Sequence, residues 1–317
     1  MKALVTGGAG FIGSHLIDAL LERGWEVVCV DDLSIGIREN IAHLRESASF
    51  TFYEQDICDM EKMDIIFTRE RANYVFHLAA NSDIQAGSEN PTIEYRNTYT
   101  TTFNLLECMR RHDVKKLFFA STSAVYGDAE GMDLVEGSCR LEPVSYYGGA
   151  KMGAEAMISA YSYMNRFSSL VFRFPNVIGP RLTHGVVFDF LRKLREDNTR
   201  LQILGDGTQS KPYMHVRDLV RGIMLFVIDK NTGEGVTTYN IGVESQTTVT
   251  HIADVVCAAM GLANVKYEYT GGRSGWRGDV PTFSYDLSKI HAAGWRAEFT
   301  SDEAVKTTMR EVVSCKR

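Results

Sequence analysis

The chain has 317 residues, 44% of them hydrophobic and 23% charged, with a formal net charge of 34 − 40 = −6. That composition can bury a core and excludes a disordered chain. The acidic balance, with no long basic run, argues against nucleic acid or an anionic membrane as partner. No apolar run is long enough for a transmembrane helix, and the first strand begins at Lys2, which leaves no room for a secretory leader. The six cysteines form no Cys-x-x-Cys pair, so free thiols, no metal site and a cytoplasmic setting are expected.

In chain order, Lys2–Thr6 reads as a short buried strand, followed by a glycine-rich turn and a helix from about Phe11 to Arg23 that Gly24 ends. Glu26–Val30 is a second β-branched strand, stopping at Asp31. The alternation continues with a strand at Phe50–Glu54, a helix near Met60–Arg71, a strand at Tyr74–Leu78, a helix near Glu94–His112 and a strand at Leu117–Ala120. A long helix from about Tyr147 to Asn165 precedes a strand at Leu170–Phe174. Strands alternating with helices predict an α/β chain with a Rossmann-type doubly wound parallel sheet, covered on both faces. Beyond Pro175 the rhythm weakens and Gly/Pro punctuation thickens, which predicts a smaller C-terminal α/β lobe. The expected division is therefore a nucleotide-binding domain over 1–174 and a substrate lobe over 175–317. A later return to the main sheet is expected near 215–245, around "TTYNIG" (Thr237–Gly242).

The turn carries Gly8-x-Gly10-x-x-Gly13 between a strand and a helix, the setting in which this spacing binds a dinucleotide. Glycines from Gly7 to Gly10 let the chain turn and bring N–H groups close to a pyrophosphate, where the helix dipole favours negative charge. Gly13 lets helix and strand pack closely. Asp31, at the end of the second strand, can accept both hydroxyls of a ribose and repel a 2′-phosphate, so NAD is expected over NADP. Asp32 follows it in the same loop. Asp56 and Ile57, after the third strand, are candidates to hold the adenine, with a solvated loop acid as the other reading of Asp56.

The chemistry is expected at the carboxyl edge of the sheet, where "STSAVYG" (Ser121–Gly127) follows a strand. Tyr147 and Lys151 lie four apart and share a helix face. A phenol is a poor base at neutral pH, but a nearby ammonium together with a positive nicotinamide ring would favour the phenolate. Tyr147 can then take a proton from a substrate alcohol, sharing it with Thr122 by hydrogen bond.

These residues carry a resemblance. With "VTGGAGFIGSHL", "VDDLS", "QDICD", "VFHLAA", "STSAVYG", "SYYGGAK", "RFPNVIGPR", "LGDGTQSKPYMHVRDLV", "YNIG" and "GWRGDVP", the chain resembles the extended short-chain dehydrogenases/reductases nearly end to end. The likeness is to their NAD-dependent nucleotide-sugar epimerase/dehydratase branch, most of all to UDP-glucose 4-epimerases. It implies Thr122, Tyr147 and Lys151 as the catalytic triad. It implies NAD contacts at Gly7, Gly10, Phe11, Ile12, Asp31, Asp56, Ile57, Leu78, Ala79, Ala80, Asn97, Tyr147 and Lys151. It also implies Asn176 as a sugar-nucleotide ligand, a sugar contact near Ser123, and a homodimer joined by helices at about 94–112 and 147–165; Asp83 lies where members of the family touch the sugar, and reads equally as a loop cap.

Departures from the pattern narrow the reaction. The 4,6-dehydratases of this branch carry an acidic pair after the threonine, and here those positions are Ser123 and Ala124. Eliminating water needs an acid and a base beyond the tyrosine. Decarboxylases of nucleotide-linked glucuronate carry glutamate where Ala124 stands. What remains is transient oxidation at C4, rotation of the ketone and return of hydride to the opposite face. Lys211 and Pro212 replace the usual arginine and aspartate of the "GDG…" segment, and Trp276 stands at a second arginine position with Arg277 beside it. Lys211 and Arg277 are thus diphosphate candidates or surface cations. Phe283 is either a wall that limits the sugar at C2 or a core side chain. His77 reads as structural. A dehydratase, decarboxylase or simple 4-dehydrogenase remains the alternative. A non-catalytic NAD or sugar-nucleotide sensor disagrees with the intact triad.

Overall fold

The structure, a computed structural model, describes residues 1–128, 131–230 and 233–314. It divides into two compact units, the first made of 1–125, 145–173 and 220–239, the second of 126–144, 174–219 and 240–317.

The first unit is built on a seven-stranded sheet. Across the sheet the strands run Gly235–Asn240, Ser168–Phe174, Lys116–Thr122, Tyr74–His77, Lys2–Thr6, Glu26–Asp31 and Phe50–Glu54. The pairings that link the last five are all parallel. Their residues are apolar on both faces, as in "ALV", "VVCV" and "YVF", because helices cover both sides. Helices Met60–Glu70, Thr101–Arg111 and Tyr146–Asn165 share one core with the sheet, in which Phe67, Met109, Phe119, Ala154 and Ile158 are fully or nearly fully buried. This is the Rossmann-type α/β fold expected. "TTYNIG" returns as the sheet's edge strand, anchored where Gly235 N–H donates to Phe167 O at 2.7 Å.

The helix expected over 94–112 is present but not uniform. A short helix Pro91–Glu94 leads into a π-helical stretch Tyr95–Thr100 and then the α-helix Thr101–Arg111. The threonines explain the widening. Thr100, Thr101 and Thr102 each turn a hydroxyl back onto a carbonyl four or five residues earlier, at 2.7–3.0 Å.

The second unit gathers helices Val186–Glu196, Val249–Ala259 and Ser301–Ser314 around Leu201 and Ile203 of the strand Arg200–Ile203. That strand pairs in parallel with Lys266–Tyr269, and Asn176–Ile178 pairs likewise with Tyr213–His215. The unit also takes in 126–144, which the boundary at 174 had left to the first domain. The reason is pairing: Asp133–Leu134 forms a two-stranded sheet with Ser284–Tyr285, and Asn240 Nδ2 donates to Leu134 O at 2.8 Å. Among the described residues no helix is long and apolar enough to cross a membrane.

Candidate active site

The glycine turn is as tight as its spacing suggests. Gly7 has φ +68°, and a Cβ there would lie 2.7 Å from Ala79 N. A Cβ on Gly13 would lie 2.2 Å from the Gly7 carbonyl oxygen. Bulk is therefore excluded where the strand end Lys2–Thr6, the start of helix Phe11–Glu22 and the Leu78–Ala80 loop meet. Phe11 is buried and packs edge-on against His15, while Ile12 is half-buried. The N–H groups of the helix's first turn have no intrahelical partner. Backbone with no room for a Cβ beside such a helix start fits a dinucleotide pyrophosphate.

Asp31 closes this cradle. Its carboxylate accepts from Ala9 N–H and Leu33 N–H, each at 2.9 Å. Burial pushes its proton affinity up, and those two backbone bonds pull it back. Asp32 instead caps its own turn, accepting from Ser34 N–H and Oγ. Asp56 accepts from Cys58 N–H at 2.8 Å and pairs with Arg96, and the neighbouring Ile57 is buried. The Leu78 N–H donates to Thr6 O, which sets the Leu78–Ala80 loop against the glycine turn. Asn97 is half-buried and accepts from Arg96 Nη1 at 3.0 Å, whereas its neighbour Thr98 is fully buried.

Thr122, Tyr147 and Lys151 come together in the first unit. Thr122 ends the strand Lys116–Thr122 and is 8% exposed. Ser145 caps helix Tyr146–Asn165, its Oγ accepting from Gly148 N–H at 3.1 Å, which starts the helix one residue before Tyr147. The Thr122 hydroxyl lowers the proton affinity of the Tyr147 phenol. Lys151 is buried, donates to Ala120 O at 2.7 Å and lies 4.7 Å from the Phe119 ring centre. Burial pushes the Lys151 ammonium down to about 8, with Glu94 and Glu155 holding it up.

In the protein by itself burial pushes the Tyr147 phenol up, the negative charge of Glu94 pushes it further, and the Thr122 hydroxyl pulls it down. His77 is structural, as expected: it is buried, with Nδ1 2.7 Å from Thr6 Oγ1 and Nε2 3.0 Å from Thr102 Oγ1.

Ser123 and Ala124 are half-buried, with Ala124 N–H donating to Thr122 Oγ1 at 3.2 Å. Asp83 is exposed. In the second unit Asn176 opens its strand with an exposed side chain. Lys211 is paired with Asp279, which also accepts from Gly275 N–H at 3.1 Å. Arg277 is exposed. Phe283 is 8% exposed and packs edge to face on Tyr285, at 5.6 Å.

Two clusters escaped sequence reasoning. Arg173 makes a bidentate bond to Glu155, which Ser121 Oγ also meets, just behind Lys151 on the same helix. Glu94 is buried with Asn81 and Thr98. The i,i+4 spacing of Lys151 and Glu155 was a visible signal. Nothing in the sequence marks Glu94 as buried.

The profile of the NAD dependent epimerase/dehydratase family matches residues 3–242. The chain is similar to a putative UDP-glucose 4-epimerase of Methanocaldococcus jannaschii, 30% identical, covering 96% of this chain and 95% of that one. It is also 30% identical to a UDP-glucuronate 4-epimerase of Thermodesulfobacterium geofontis, over 96% of this chain and 94% of that one. Among solved structures, the UDP-glucose 4-epimerase of Thermotoga maritima superimposes with a TM-score of 0.88 at 33% identity, covering 100% of both chains. A tight glycine turn beside buried Asp31, with Thr122, Tyr147 and Lys151 in the same unit, and end-to-end similarity lead to one conclusion: this chain belongs to the NAD dependent epimerase/dehydratase family and uses NAD.

Proposed function

We propose that the protein is a nucleotide-sugar 4-epimerase of the UDP-glucose/UDP-galactose type. The observation that carries this is Thr122 at the end of its strand, followed by Ser123 and Ala124, where no carboxylate is present to drive an elimination, together with Tyr147 and buried Lys151 on one helix. The names of the M. jannaschii and T. maritima relatives support the same sugar.

NAD would be held by the Gly7–Gly13 turn, Asp31 and the Leu78–Ala80 loop, and when bound it supplies a hydride acceptor and donor and a positive ring. The chain's own part is proton handling. Tyr147 Oη takes the proton of the sugar hydroxyl and later returns it, and Thr122 Oγ1 steadies that oxygen by hydrogen bond. Lys151, charged and enclosed, lowers the energy of the phenolate during the exchange. Asn176 and exposed Arg277 are the proposed sugar-nucleotide contacts of the second unit. Lys211, whose charge Asp279 already balances, is the weaker candidate for the diphosphate.

The test is incubation of purified protein with UDP-glucose, UDP-galactose, their N-acetyl forms and UDP-glucuronate, with product stereochemistry read by NMR. Interconversion of the first two is expected. A 4-keto-6-deoxy sugar or a decarboxylated product would overturn the epimerase reading. Turnover of UDP-glucuronate alone would replace the substrate, as the T. geofontis relative makes conceivable.

A further inference from the structure

Helix Tyr146–Asn165 meets the strand end Ala120–Thr122 at more points than the triad uses. Lys151 Nζ donates to Ala120 O at 2.7 Å, and one turn further along the helix the Glu155 carboxylate accepts from Ser121 Oγ. Ser121 is 1% exposed. Tyr147, Lys151 and Glu155 are spaced by four and so share one helix face. On the strand, Phe119 and Ser121 alternate onto the same side, and the Phe119 ring centre lies 4.7 Å from the Lys151 ammonium. The pairing with strand Tyr74–His77 stops at Phe119, so Ala120, Ser121 and Thr122 run past that neighbour. Side-chain bonds to the helix are what hold them there.

Glu155 is in turn held from a third element. Arg173, on the neighbouring strand Ser168–Phe174, donates from Nε to Glu155 Oε1 at 3.0 Å and from Nη2 to Oε2 at 2.6 Å. A guanidinium is a rigid planar fork, so two such bonds fix the plane of the carboxylate and leave Oε1 aimed at Ser121. Both side chains are enclosed, with 8% of Arg173 and 11% of Glu155 exposed. A buried ion pair is a poor source of stability, since apolar residues of the same volume commonly do as well or better. What this pair supplies is a position.

We propose that Glu155, locked by Arg173, is a positioning residue for the reaction: through Ser121 it pins the strand end that carries Thr122 against the helix that carries Tyr147 and Lys151. Ser121 is the link. With its hydroxyl bonded to Glu155, the residues on either side of it are fixed, Ala120 as acceptor for Lys151 and Thr122 as partner of the phenol. Glu155, Arg173 and Ser121 thus act through the triad and not on the reacting atoms. The lever is large, because a misplacement of about 1 Å in a catalytic group can cost about 100-fold in rate. This inference rests on the reading of Thr122, Tyr147 and Lys151 as catalytic groups.

The test separates position from stability. Ser121→Ala removes the link and leaves the ion pair intact. A second variant adds Glu155→Met and Arg173→Met to it, so that neither charge is left without the other. With the nucleotide sugar that the wild type turns over best, both variants should lower kcat by about 10–100-fold with KM little changed, at temperatures well below their thermal midpoints. An unchanged kcat in both, or a loss that appears only as KM, overturns the proposal. A second readout needs no substrate. In protein as isolated, labelled with ¹³C at the lysine ε-carbons, the Lys151 signal is identified by its loss in Lys151→Met. Its two ε-protons should differ in shift in the wild type, the mark of a side chain held in one place, and should converge in both variants. Shifts that stay apart in both overturn the proposal as well. If the wild type turns over no nucleotide sugar, the epimerase reading falls, and the lysine signal still decides whether the strand end is held through Glu155.

Discussion

Tyr147 combines two demands, a ring that packs and an oxygen that exchanges a proton. Tyr147→Phe keeps the first and removes the second, so turnover should fall by about 10²–10⁴-fold. NAD released by denaturing the variant should match the wild-type amount, and near-normal turnover would mean that another base exists. At this scale the sequence was legible wherever a residue type answers a covalent or steric need. The glycines announced a turn that rejects Cβ atoms, and Asp31 announced itself by ending a strand after that turn. Glu94 and Thr98 were illegible, because their role depends on burial and on a local widening of the helix that no spacing rule encodes. Phe283 was readable in two ways from its type alone, and only its packing on Tyr285 shows what it touches.

His77 joins three elements: its own strand Tyr74–His77, the strand Lys2–Thr6 through Thr6, and helix Thr101–Arg111 through Thr102. Burial, and next the Lys151 charge, push its imidazole down to about 3. The unfolded chain binds that proton near pH 6.5, the native protein does not. The stability His77 contributes is therefore whole above about pH 6.5 and is lost as pH falls toward 3, at up to about 1.4 kcal/mol per pH unit. Urea midpoints of the wild type and His77→Gln between pH 7 and 4 should differ in slope by about one proton, and equal slopes would refute the assignment. Elements with a strong period were visible in the sequence, from Lys2–Thr6 to the long helix Tyr146–Asn165. The break at Tyr95–Thr100 was not, since its two threonines, Thr98 and Thr100, still fit a helical pattern and only hydroxyl bonds such as Thr100 Oγ1 to Tyr95 O show the distortion.

For the whole molecule, the proposed state is a homodimer joined through helices Thr101–Arg111 and Tyr146–Asn165. Phe103, Tyr163 and Met164 on these helices are 39%, 86% and 76% exposed, more apolar surface than a solvated helix needs. Sedimentation velocity should give twice the chain mass, and Phe103→Glu with Tyr163→Glu should give one chain. A wild type that sediments as a single chain at micromolar concentration would end the proposal. The domain boundary was the least legible feature, because pairing between distant segments decides it. Neither Asp133–Leu134 nor Ser284–Tyr285 is long enough to be recognised as a strand by pattern.

The edge strand Gly235–Asn240 carries a consequence for how the chain is made. While a ribosome is still extending residues between 174 and 235, the strand Ser168–Phe174 has nothing to pair with on its outer side. Its sequence, "SSLVFRF", is apolar at alternate and adjacent positions, the type of open edge that recruits other strands. More than sixty residues, several seconds of synthesis at about 5–20 residues per second, separate the birth of that edge from the arrival of its cover. The nascent protein is therefore most exposed to misassociation in that interval, and a chain interrupted there would be left with its sheet open.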